Sequence, residues 1–192
     1  MTATPSGPIG RGQRARERVL AAALDQLAEE GSAGFTMEAI ARRAGASKAT
    51  LYRRWPSASA LLVDAMATTF RPLPSPPGDD VREDLLTLVT RAAALLRSER
   101  FPRLMAAIVD LAERDPALAD LHADVTAQQR RPVLEVVARG QARGQIAADA
   151  DPEVVVDLLT APFFYRRLVA HRPIPDTLPR ELVERVVLQR FD

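Results

Sequence analysis

Residues 71–80 read RPLPSPPGDD, and four prolines in ten residues forbid a continuous helix there. On both sides of this run, apolar residues recur at helical spacing, and almost nothing alternates in the strand manner. The chain must therefore fold as two groups of helices joined by a semi-rigid linker. The expected class is all-α with about nine helices. The first group comprises helices near 13–30, 36–43, 47–54 and 57–70, and the second comprises 80–98, 101–114, 116–143, 152–170 and 179–190. Gly31 and Gly144 stand just past two of these and suit a left-handed stop. Thr36 and Ser47 are placed to cap short helices, and Asp80, three residues before Glu83, resembles an N-terminal box. Asp115-Pro116 and Asp151-Pro152 each set an acceptor before a proline, which favours opening a helix.

Composition narrows the function. The 192 residues include no cysteine, so disulfides and thiolate metal sites are excluded. Two histidines, His122 and His171, are too few for a histidine-rich metal centre and read as surface or helix-end residues. No segment offers about 18 consecutive apolar residues, and the stretch MTATPSGPIGRGQRARER carries no signal-peptide core. The expectation is a soluble, cytoplasmic protein with no membrane partner. No nucleophile–base pair, phosphate loop or metal-ligand spacing appears, so an enzyme is not expected, nor is a cofactor.

Charge is uneven. Residues 1–60 hold nine basic side chains against five acidic ones, while the remainder is slightly acidic. A basic end points to a polyanionic partner. Of the 26 basic residues only Lys48 is lysine. Arginine abundance therefore carries little functional weight by itself, but position does.

The decisive stretch is 36–57, TMEAIARRAGASKATLYRRWPS. Two short helices flank Ala44-Gly45-Ala46, a helix-turn-helix arrangement occupying about 36–55. Ala41 is small where the helices cross, Gly45 can adopt the positive φ of the turn, and Ile40 and Leu51 point inward. Ser47, Lys48, Thr50, Arg53 and Arg54 are left to face outward, with no acid among them. Such a helix fits the major groove with its first residues near base edges. Thr36, Ser47, Tyr52 and Ser57 can give hydroxyls to phosphate. Arg11, Arg14, Arg16 and Arg18 read either as a DNA-touching arm or as a solubilising tail.

These residues resemble the TetR family of bacterial transcriptional regulators. The match rests on Phe35-Thr36, Ile40-Ala41, Ala44-Gly45, Ser47, Thr50-Leu51-Tyr52, Pro56-Ser57 and Leu61-Leu62, and covers 13–70 strongly. It implies an N-terminal three-helix helix-turn-helix domain followed by a C-terminal helical ligand-binding and dimerisation domain. The implied division is an arm at 1–12, a DNA-binding domain at 13–70, a linker at 71–80 and the C-terminal domain at 81–192. Thr36, Thr50 and Tyr52 would lie against a double-stranded DNA operator. Trp55 departs from the usual phenylalanine. Ala58 replaces a lysine that commonly touches phosphate, a loss the arm arginines would offset. More weakly, RGQARGQI followed by ADADPEVVVDLLTAPFFYRRLV resembles one TetR subgroup, in which the last two long helices pair with a second subunit. That implies a homodimer, commonly a repressor, with a small-molecule effector held in the C-terminal helices.

The sequence also offers candidates for such a pocket. Leu88, Met105, Ile108, Phe163 and Phe164 read either as core or as apolar lining, and Gln129 and Tyr165 as polar groups in the cavity. Pro162 lacks the N–H of a helix bond and predicts a kink beside the aromatics. The competing expectation is a constitutive DNA-binding protein with no effector, and a closed apolar cavity would separate the two.

Overall fold

The structure is a computed structural model and describes residues 11–70 and 74–188. Among these, every regular element is helical: nine α-helices and one π-helical turn. No helix among them is long and apolar enough to cross a membrane. Most of the expected arm, residues 1–10, and the start of the proline run, 71–73, lie outside the described residues. The chain divides into two compact units, Met1–Thr69 and Phe70–Asp192.

The first unit contains α1 (Arg11–Glu30), α2 (Met37–Ala44), α3 (Lys48–Tyr52) and α4 (Ala58–Thr69). Helix α1 begins ahead of the expected Gln13. Its apolar stripe of Val19, Leu20, Ala23, Leu24, Leu27 and Ala28 is buried, and α1 packs on both α2 and α4. Gly31 ends it at φ +69°, donating its N–H to the Leu27 carbonyl. Leu61, Leu62, Ala65 and Met66 close the core from α4. Helix α4 starts at Ala58 because Ser57 caps it, accepting from the Ala60 N–H at 3.1 Å. The indole of Trp55 is buried, and its N–H reaches Asp64 at 2.9 Å. The same carboxylate pairs with Arg16 of α1.

The second unit is built on α5 (Val81–Arg97), which touches all the others: α6 (Arg100–Ala112), α7 (Pro116–Ala142), α8 (Pro152–Phe164) and α9 (Leu178–Leu188). Its core joins Leu85, Val89 and Leu96 of α5 with Val136 of α7 and Leu159 and Phe163 of α8. The acceptor–proline pairs open helices as the sequence predicts. Asp115 accepts from the Ala117 N–H at 3.1 Å and Asp151 from the Glu153 N–H at 2.9 Å. Asp80 accepts from the N–H groups of both Arg82 and Glu83. Gly144, at φ +69°, terminates α7.

The expected single helix over 152–170 is replaced by α8 and a π turn at Tyr165–Val169. Pro162 supplies no N–H at its own position, and the ladder that resumes beyond it is wider. The turn closes with the Ala170 N–H on the Tyr165 carbonyl at 2.8 Å.

The described part of the proline run is held by Arg139 of α7 and by Arg143 just past its end. Arg139 pairs with the buried carboxylate of Asp84 and donates to the Pro76 carbonyl at 3.0 Å. Arg143 donates to the Asp79 carbonyl at 2.7 Å. Gly78 sits so close to Asp84 that a Cβ there would fall 2.4 Å from its Oδ1. Asp84→Ala strands the Arg139 guanidinium among partners it was built around. The expected cost is about 2–4 kcal/mol, towards the lower end because a quarter of the arginine side chain stays in water. Urea unfolding followed by circular dichroism measures it. A loss below about 0.5 kcal/mol would mean that desolvation cancels the pair.

Candidate nucleic-acid interface

The helix-turn-helix assembles from local chemistry. Thr36 caps α2 by accepting from the Ala39 N–H at 3.2 Å. Gly45 turns the chain at φ +62°, and the Ala46 N–H closes onto the Ala41 carbonyl at 3.0 Å. A side chain at Gly45 would meet no neighbour, so the φ alone requires glycine there. Ser47 caps α3, accepting from the Thr50 N–H at 3.2 Å. Each cap stabilises its helix by about 1 kcal/mol. Ile40 and Leu51 are fully buried and join the two helices.

Thr36, Ser47, Lys48, Thr50, Tyr52, Arg53, Arg54 and Ser57 are all exposed. Helix α3 is shorter than expected and ends at Tyr52. Arg53 and Arg54 lie on the tightened turn behind it, where the Arg54 N–H meets the Leu51 carbonyl at 2.9 Å. The Arg54 guanidinium lies 5.4 Å from the centre of the Trp55 ring, within cation–π range. The hydroxyls of Ser47 and Thr50 bond each other at 2.9 Å.

Two features depart from the sequence reading. Glu38 of α2 is exposed and its carboxylate pairs with Lys48, the first residue of α3. The hydrogen bond from the Lys48 ammonium first, then the bond to its own backbone N–H, then the lysine charge hold the Glu38 carboxyl below the usual carboxylate range. Counting acids along α3 alone hides this partner, which comes from across the turn. The second departure concerns the arm. Arg16 is committed to Asp64, and Arg18 donates to the Ala44 carbonyl at 3.1 Å. These two arginines brace α1 against α4 and α2, because their heads reach acceptors inside the unit. Arg14 is exposed, and the side chain of Arg11 lies outside the described residues.

In the second unit the seven expected pocket residues differ in their exposure. Leu88, Ile108 and Phe163 are buried in packed contacts, and Met105 and Phe164 are half-buried. Tyr165 is 62% exposed. Gln129 is also exposed, and its amide donates to the Phe70 carbonyl at 2.9 Å. Phe70 further meets Phe101 edge-on, with centroids 6.2 Å apart. Consecutive residues of one helix splay too widely to share a wall. A groove of about 600 Å³ lies elsewhere, between the end of α6, the first half of α7 and the start of α8, where His122, Thr126, Arg130 and Glu153 join a row of alanines. His122 is therefore a half-buried mid-helix residue rather than a surface one, and burial lowers its pKa from the ordinary histidine value. Arg130 latches α7 to α8 through Glu153 and Asp157, each at 2.6 Å. On α8 and the π turn, Val154, Leu158, Tyr165 and Val169 form an apolar stripe, each 44–65% exposed.

Comparison with known proteins agrees with this architecture. Residues 19–65 match the family described as bacterial regulatory proteins, tetR family, and residues 75–186 match the tetracyclin repressor-like C-terminal domain. The HTH-type transcriptional regulator YdeS of Bacillus subtilis (strain 168) is 31% identical over 175 residues, covering 90% of this chain and 88% of that protein. The crystal structure of the TetR family transcription regulator SCO0332 is 32% identical, with a TM-score of 0.66 over 91% of this chain and 97% of that one. The transcriptional regulator FadR from Bacillus subtilis, solved in complex with stearoyl-CoA, shares the fold alone: 14% identity and a TM-score of 0.70, over 88% of this chain and 96% of that one. Such proteins are regulators rather than enzymes. An exposed recognition helix on a glycine turn, with both halves matching their family along most of their length, identifies the chain as a DNA-binding transcriptional regulator that belongs to the TetR family.

Proposed function

We propose that the chain is a homodimeric, effector-released repressor acting in the cytoplasm. In this reading residues 13–70 bind DNA, 71–80 link, and 81–192 dimerise and hold the effector. The observation that carries it is the apolar stripe on α8. Four large residues, Val154, Leu158, Tyr165 and Val169, stand in water on one face of α8 and the π turn that continues it. A second copy seated on that stripe would remove it from solvent. A two-fold dimer carries two recognition helices, so its operator is a palindrome with half-sites about 34–36 Å apart, or a longer span if the subunits sit wider. Occupancy of such a site blocks transcription, the common mode of the family.

The effector side rests on Phe70. This residue follows directly after α4 in the chain, and α6 and α7 grip it through Phe101 and Gln129. A small, mainly apolar molecule that spreads the helices around Met105, Ile108 and Phe164 displaces α6 and α7. The bonds to Phe70 then pass that displacement to the end of α4. FadR's complex with stearoyl-CoA supports an effector of apolar character in a fold of this kind. A coupling of ~1–3 kcal/mol corresponds to about a 5–150-fold loss of operator affinity.

Leu158→Glu puts a charge in the centre of the stripe. It is expected to yield monomers by sedimentation and to abolish binding to the palindromic duplex, while the helical content stays unchanged. A variant that remains dimeric would place the subunit contact elsewhere.

Loss of Arg53 or Arg54 is expected to cost ~1–3 kcal/mol on one base position if that side chain reads guanine. Binding selection on a degenerate operator measures this. An equal loss on operator and random DNA assigns the side chain to phosphate.

Gln129→Ala is expected to leave effector-free operator affinity within about twofold while reducing effector-driven release several-fold. Titration of the operator complex with and without effector tests it, and unchanged release removes Phe70 from the route.

A further inference from the structure

Glu38 is an exposed carboxylate on the face that must approach a polyanion, and it occupies the one lysine of the chain. Its side chain touches water, accepts from its own backbone N–H in the first turn of α2, where an acid suits the helix N-terminus, and meets Lys48 on the first turn of α3. The neighbouring hydroxyls of Ser47 and Thr50 are already bonded to each other. In the DNA-free protein the N-terminal end of the recognition helix is thus electrostatically closed on itself.

Resting on the DNA-binding role of this motif, we infer that Glu38 is a specificity-determining residue. It penalises binding by phosphate contact alone and is compensated only where a base presents an exocyclic amino group to it. On random duplex the protein is held by the backbone, and affinity counts the phosphates neutralised. For Lys48 to add one such contact it must leave Glu38, which then faces the phosphates unpaired. In a specific complex the start of α3 approaches base edges. The amino groups of cytosine N4 and adenine N6 are the donors the major groove offers there, and a carboxylate accepts from them. The acid therefore costs the protein on most DNA and is satisfied on its own site.

The test uses the full-length protein, a random-sequence duplex and one duplex selected by the wild-type protein from a random pool. Affinities are measured over a salt series for wild type, Glu38→Gln, Lys48→Ala and the double variant. Both positions are exposed and the substitutions leave the core untouched; thermal melts check folding. Glu38→Gln is expected to tighten random-duplex binding roughly 5–10-fold near 0.1 M salt and to steepen the salt slope by about 0.9, one phosphate's worth. Its affinity for the selected duplex is expected to stay level or fall, so the specificity ratio drops. In the Lys48→Ala background Glu38→Gln should bring no gain on random DNA. Unchanged random binding, an equal gain on both duplexes, or a gain that survives Lys48→Ala would each overturn the inference. A wild-type protein that binds neither duplex in a salt-dependent way would instead remove the DNA-binding role itself.

Discussion

The carboxylate of Asp64 is the point on which the DNA-binding half turns. It sits half-buried on α4 and receives the guanidinium of Arg16 from α1 and the indole N–H of Trp55 from just beyond the recognition helix. One acceptor thus ties three elements whose contacts are otherwise non-directional apolar packing. Packing of Leu27, Leu51 and Leu61 supplies most of the driving force, but such contacts tolerate small slides. Charge-assisted hydrogen bonds do not, because their strength falls steeply with geometry. Tryptophan in place of the family's usual phenylalanine therefore brings a donor that uses an available oxygen. It also presents its ring to Arg54, so the same residue orders one of the outward-facing arginines.

The second unit repeats the device with other residues. There Arg139 reaches Asp84 and the Pro76 carbonyl, and Arg143 reaches Asp79. The described prolines of the linker have no N–H to tie themselves down, so the tie comes from side chains at the C-terminal end of α7 and just beyond it. The cost of burying Asp84 is met by that arginine, and Gly78 leaves the space in which the carboxylate lies.

Whatever depends on neighbours in sequence was legible before the structure. Thr36, Ser47, Asp80, Asp115 and Asp151 all accept the backbone N–H groups their positions predict. Gly31, Gly45 and Gly144 all take positive φ. The buried stripe of α1 follows directly from its spacing. What escaped depends on reach through space. Arg16 and Arg18 looked like part of a free arm because nothing local shows that long side chains will find Asp64 and the Ala44 carbonyl. Glu38 was invisible as a partner of Lys48 because ten residues and a glycine turn separate them. Leu88, Met105, Ile108, Phe163 and Phe164 were chosen as effector residues by apolarity, which does not distinguish a wall from a core. Phe163 proved to be core, and the groove along α7 includes four alanines that no hydropathy argument singles out.

The solitary lysine has a chemical consequence. Every other cationic side chain in the molecule is a guanidinium, inert to ordinary acyl donors, so the only side-chain amine stands at the threshold of the recognition helix. Among the side chains, acetylation of an amine would be a single-site event. It would erase one positive charge and release the carboxylate of Glu38 in the same stroke, turning that ion pair from neutral to acidic.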